Sequence, residues 1–172
     1  MLEGDTDITT ALDHGETLIL ADDPGAVAFH ARLADRYLDD ARVAFAHAGA
    51  MDSAGDEHGA LREYRRALDI GLPDDLRQRL YVQMGSTLRN VGDVKGAVTL
   101  LEEGVAAFPD DLAMACFLAL ARHTAGQPGG AIAEVIRAIL RADELGVIHL
   151  PRYQRSLRAY ADAVAAEDDR TT

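Results

Sequence analysis

Three observations predict an all-α fold, an α-α superhelix of stacked antiparallel helix pairs. A block of residues recurs at a spacing of 34: Gly92-Asp93 answers Gly126-Gln127, Ala97 answers Ala131 and Gly85 answers Ala119. An earlier copy with Gly55-Asp56 and Ala60 lies 37 upstream, the extra three residues fitting a longer linker from Gly71 to Asp75. A fixed period of this kind marks helical hairpins that bury their apolar faces only by stacking on one another. The chain also has no Trp and few β-branched or aromatic residues, which favours helix over sheet. Its 172 residues, 48% hydrophobic, suffice for one ordinary domain with a substantial core.

The elements follow in order. Residues 1–23 mix Asp, Thr, Gly and Glu around two apolar islands, Ile8 to Leu12 and Leu18 to Ala21, and read as an acidic segment, weakly helical or disordered because Gly15 and the threonines oppose a helix. Asp22-Asp23-Pro24-Gly25 closes it as a turn or helix start. Residues 24–40 carry Val27, Phe29, His30, Leu33, Ala34, Tyr37 and Leu38 at helical spacing, half of a degenerate preceding repeat, with Asp39 or Asp40 as the next cap. Three units then occupy 41–142, namely 41–74, 78–111 and 112–142, as helix pairs at 41–54 with 57–70, 75–91 with 94–107, and 111–125 with 128–142. Gly55, Gly92 and Gly126 make the tight turns, and Pro73 and Pro109 stop two of the second helices. After the linker at 145–151, Tyr153, Leu157, Tyr160, Ala161 and Val164 form an apolar stripe on a capping helix within 151–167.

Close packing explains the recurrence, since small residues are needed where backbones approach and large ones where gaps remain. Ala48, Gly85 and Ala119 are the small residues of the first helices. Ala60, Ala97 and Ala131, then Ala67, Gly104 and Ala138, serve the second helices, and Tyr64, Leu101 and Val135 are among the large residues.

These offsets resemble the tetratricopeptide repeat (TPR), most closely in Gln78 to Asp111, where Tyr81, Met84, Gly85, Leu88, Gly92, Ala97, Leu101, Gly104 and Pro109 stand at the motif positions. The run from Met84 to Gly92, with Phe108-Pro109-Asp110-Asp111, is further similar to a family of small bacterial TPR proteins of undefined biochemical role. The resemblance implies a binding module that dimerises. Arg122 departs from the aromatic or apolar residue usual at its position, and Asp143 replaces a terminal Pro.

In such an array the first helices line a concave groove. Arg79, Gln83, Ser86 and Asn90 fall on one helical stripe with Arg89 beside it, Asp52 is a polar neighbour on the preceding first helix, and Phe117 an apolar anchor on the following one. A groove cationic at its middle and apolar on one flank suits a protein or peptide partner that pairs an acidic group with a hydrophobic anchor. The alternatives are a solvated face with an apolar strip covered by the last helix, or a structural homodimer whose apolar faces are buried by self-association. A carboxylate clamp for chaperone tails, known in some TPR proteins, is not expected, because it needs Lys and Asn where this chain has Phe45 and Gly49.

The charge of −12 disfavours nucleic acid. Ten acids against Arg32 and Arg36 place −8 of it in residues 1–40, so Asp5, Asp7 or Asp13 has the charge to dock in a cationic groove, although a solvated tail is the plainer reading. One cysteine, Cys116, excludes an internal disulfide, and the six scattered histidines lack metal-ligand spacing, so no metal or other cofactor is expected. His47 reads as a buried, hydrogen-bonded core residue. Cys116 and His123 are about 10 Å apart along a helix, too far for a nucleophile and base, and Gly126 to Gly130 lacks the ending of a phosphate loop. No apolar run is long enough to span a membrane and the N-terminus is acidic, so a cytoplasmic, non-enzymatic protein that avoids membranes is expected.

Overall fold

A computed structural model describes residues 3–147 together with 158, 161, 162, 165 and 166. The expected capping helix within 151–167 therefore falls largely outside the described residues. Among those described, the chain is all-α, with eight helices and no strand: α1 (Glu3–Leu20), α2 (Ala26–Arg36), α3 (Ala41–Ser53), α4 (Glu57–Ile70), α5 (Asp74–Asn90), α6 (Val94–Ala107), α7 (Leu112–Thr124) and α8 (Pro128–Glu144). It forms two compact units, Met1–Leu80 and Tyr81–Thr172.

Capping chemistry sets the helix starts. Asp40 accepts from the Arg42 and Val43 amides ahead of α3, Asp56 from Gly59 ahead of α4, Asp93 from Gly96 ahead of α6 and Asp111 from Met114 ahead of α7. Each satisfies donors that the first helical turn leaves without a partner. The turn that returns the chain within each hairpin passes through Gly55, Gly92 or Gly126 at φ of 84°, 89° and 75°, the left-handed region where only glycine sits without strain.

In the first unit α1 packs on α2 and α3, α2 on α3, and α3 on α4. Ile8, Ala34 and Val43 form a buried cluster with Leu12, Leu33 and Tyr37 against it. This cluster accounts for a helix of 18 residues where Gly15 and the threonines oppose one: tertiary burial of Ile8 and Leu12 outweighs weak local propensity. Gly15 is itself used for close approach, because a Cβ there would stand 2.6 Å from Nε2 of His30. Tyr64, fully buried on α4, hydrogen-bonds Asp52 of α3, and burial together with that carboxylate raises its pKa.

In the second unit α7 packs on α6 and on α8. The small–large pairing is direct: a Cβ on Gly85 of α5 would lie 2.6, 2.8 and 2.9 Å from three carbons of the buried Leu101 side chain on α6. Arg122, the departure from the repeat pattern, lies 2.8 Å from Glu102 of α6 and 3.7 Å from Glu134 of α8, which exchanges an apolar contact for a charge bridge between neighbours. Beyond α8, Arg158 pairs with Glu144, and Asp162 lies 3.7 Å from Arg137.

Candidate partner-binding surfaces

In the first unit the groove candidates are already occupied. Arg79, half-exposed near the start of α5, places its guanidinium 5.7 Å from the Phe45 ring centroid and its Nη2 3.1 Å from Oε1 of Glu16 on α1. Stacking and charge both favour that position. The acid engaging Arg79 is thus Glu16; Asp13 is exposed on the same helix, and the side chains of Asp5 and Asp7 lie outside the described residues. Phe45 is buried, its ring 6.1 Å from that of Tyr64. Asp52 is half-buried and bonded to the Tyr64 hydroxyl, so its carboxylate works inside the hairpin.

In the second unit Gln83, Ser86, Arg89 and Asn90 share α5. The Gln83 carbonyl accepts from the Thr87 hydroxyl at 2.9 Å, Ser86 is half-buried and Asn90 is exposed. Arg89 is half-buried and donates from Nη2 to Oδ1 of Asn90 at 3.3 Å, while its buried Nε has no hydrogen-bond partner. Among the described residues no carboxylate pairs with it. A cation desolvated in part and lacking an anion is the arrangement that gains most from an incoming carboxylate.

The apolar flank is broader than the sequence suggests. An open groove of 620 Å³ runs between α7 and α8, lined by Cys116, Leu120, His123, Pro128, Ile132 and Val135 among others. Leu120, Ile132, Val135 and Ile139 are exposed apolar side chains. Phe117, the expected anchor, is half-buried and is not among the lining residues. The α8 residues were missed because their helical spacing reads as core. Val135 holds the position of Tyr64 and Leu101 in the earlier copies, yet it is 42% exposed where they are 0% and 1%, so a smaller side chain leaves the groove open where its counterparts are buried. Arg137 and Glu144, which pair with Asp162 and Arg158, lie about half a turn around α8 from Ile132, Val135 and Ile139, so those contacts fall on its other side.

Other chemistry is limited. Among the described residues no group of three His, Cys, Asp or Glu side chains is placed to hold a metal, and no helix is long and apolar enough to cross a membrane. His47 is buried, as its position suggests, but it has no hydrogen bond; its Nδ1 lies 3.5 Å from Glu63.

Comparison with known proteins agrees with this architecture. No curated protein sequence matches the chain. A crystal structure of the MamA protein superposes with a TM-score of 0.71 at 16% identity, covering 86% of this chain and 79% of that one. MamA from Desulfovibrio magneticus RS-1, residue 41 to the end, gives 0.64 at 18% identity over 95% and 96%, and a MamA RS-1 double mutant gives 0.64 at 19% over 95% and 94%. At these identities the likeness is one of fold. The model of the tetratricopeptide repeat family matches residues 41–164, well over half the chain. The protein therefore belongs to the tetratricopeptide repeat family, a fold that serves as a general protein-binding scaffold.

Proposed function

We propose that this TPR scaffold binds a protein or peptide partner bearing a carboxylate, which Arg89 receives with Asn90, Ser86 and Gln83 alongside, and an apolar group, which the α7–α8 flank receives near Phe117. Arg79, held by Glu16 in this structure, becomes a second acid-binding position when that contact opens. The observation that carries the reading is Arg89, half-buried, its Nε unpartnered and its guanidinium paired with no carboxylate among the described residues. The test is an array of peptides with free C-terminal carboxylates beside their amidated copies, probed with the full chain and with Arg89→Ala. Retained peptides are expected to prefer the free acid, and Arg89→Ala to weaken them by about 1–3 kcal/mol in titration. Equal affinity for acid and amide, or for wild type and variant, removes Arg89 from the site.

A second reading, a structural homodimer, is favoured by the exposed strip of Leu120, Ile132, Val135 and Ile139, since contiguous apolar surface of this kind is commonly covered in solution. Light scattering over a dilution series tests it. A dimer that persists on dilution and dissociates in Ile132→Asp supports self-association, and a single-chain mass at every concentration excludes it.

A further inference from the structure

Two histidines are buried in the first unit with no well-formed hydrogen bond to a ring nitrogen, His30 having only a weak contact with the Gly15 backbone. His30 of α2 is fully buried, and His47 of α3 nearly so. Gly15 of α1 lies directly on the His30 ring, closer than any side chain would allow, while Phe29 meets that ring edge-on with centroids 5.6 Å apart. The charged groups around the pair can be named from each element. On α1, Glu16 is engaged by Arg79, and His14 turns to the Phe29 ring. On α3, His47 faces His30 and disfavours a second charge there. On α4, Glu63 lies 3.5 Å from His47 and is held by Arg66 at 2.7 Å. Glu63 thus lies beside His47, and among the described residues no carboxylate pairs with His30.

Burial pushes His30 below its usual range, His47 lowers it further, and the Gly15 backbone opposes the shift only in part. The sign of the linkage follows. The released ring binds protons near the ordinary value of 6.5 and the docked ring does not, so docking loses stability as pH falls below that value. Water reaches His30 once α1, whose Gly15 covers the ring, moves away.

We propose that α1 is a pH-released latch: mild acid protonates His30 beneath Gly15, α1 lifts from α2 and α3, and Glu16 lets go of Arg79. The consequence for binding, a free Arg79, rests on the groove reading above; the release itself does not. Hydrogen exchange needs no partner, so its outcome stands apart from the fate of that reading.

The test is amide exchange of the full chain, corrected for intrinsic rates, at about pH 7.5 and about pH 5.5. Protection of residues 8–20 is expected to fall about tenfold at the lower pH, equivalent to about 1.4 kcal/mol, while residues 57–70 keep theirs. In His30→Leu the protection of residues 8–20 is expected not to change with pH. Equal protection of α1 at both pH values in the wild type overturns the proposal, and so does an undiminished drop in His30→Leu. Should that variant fail to fold, nuclear magnetic resonance titration of the wild-type imidazoles decides: His30 titrating at or above 6.5 overturns the latch, and His30 titrating below it supports the latch.

Discussion

Gly85 and Leu101 allow the repeat's packing logic to be tested quantitatively. The perturbations are Gly85→Ala, Leu101→Ala and the double variant. Leu101 is 1% exposed, so truncating it removes three buried carbons and leaves a cavity, at a cost of about 3 kcal/mol. Gly85→Ala gains about 1 kcal/mol of helix propensity. The new methyl, however, falls 2.6–2.9 Å from three Leu101 carbons, and overpacking of that kind costs about 2 kcal/mol, a net loss near 1. In the double variant the clash is gone, the propensity gain remains and the methyl fills part of the void. It is expected to be less destabilised than Leu101→Ala alone, by about 1–2 kcal/mol, and more stable than the sum of the singles by about 2–3 kcal/mol. Urea unfolding followed by far-ultraviolet circular dichroism measures all four proteins. Losses that add within about 0.5 kcal/mol would refute the claim that a small residue stands at position 85 because Leu101 needs its space.

Asp40→Ala is expected to destabilise by about 1 kcal/mol, because it removes the acceptor for the first amides of α3. The Arg42 side chain and the cap amides hold the Asp40 carboxyl below its ordinary value of 3.8, so its contribution is present above that pH and lost as pH falls through the folded value; urea midpoints across acid pH check this. Tyr64→Phe leaves the shape intact and removes the hydroxyl bonded to Asp52, a charge-assisted bond whose loss is expected to cost about 2 kcal/mol in the same assay. Arg122→Leu, which restores the apolar residue usual at its position, removes the bridge to Glu102 and strips one cationic partner from the 7%-exposed Glu134, leaving Arg137 at 2.8 Å. A loss of about 1 kcal/mol is expected, and a gain in urea midpoint would show that packing outweighs the bridge.

The fold class was legible because the signals that specify it are local and repeated. Glycine at a left-handed turn, aspartate at a helix start and alternating small and large residues each act within one or two turns of helix, and three copies make their spacing visible. The helix of α1 was not legible in the same way. Its propensity is weak, and its stability comes from Ile8 and Leu12 packing on Ala34, Val43 and their neighbours, contacts that cross from one helix to others. The candidate surfaces divide similarly. The stripe on α5 follows from periodicity alone, whereas the pairing of Arg79 with Glu16 joins residues 63 positions apart that no local pattern connects. The open flank on α8 was hidden for the opposite reason: exposed Ile132, Val135 and Ile139 keep the spacing of a buried face, and only their accessibility tells them apart.

Cys116 stands exposed on the edge of that flank, and the chain has no other thiol. One maleimide dye therefore attaches at one place in the unaltered protein. A polarity-sensitive fluorophore on this sulfur will shift to the blue and brighten when the flank is covered, whether by a peptide or by a second copy of the chain. The protein thus brings its own reporter, and a titration in a cuvette can follow occupancy before any partner has been named.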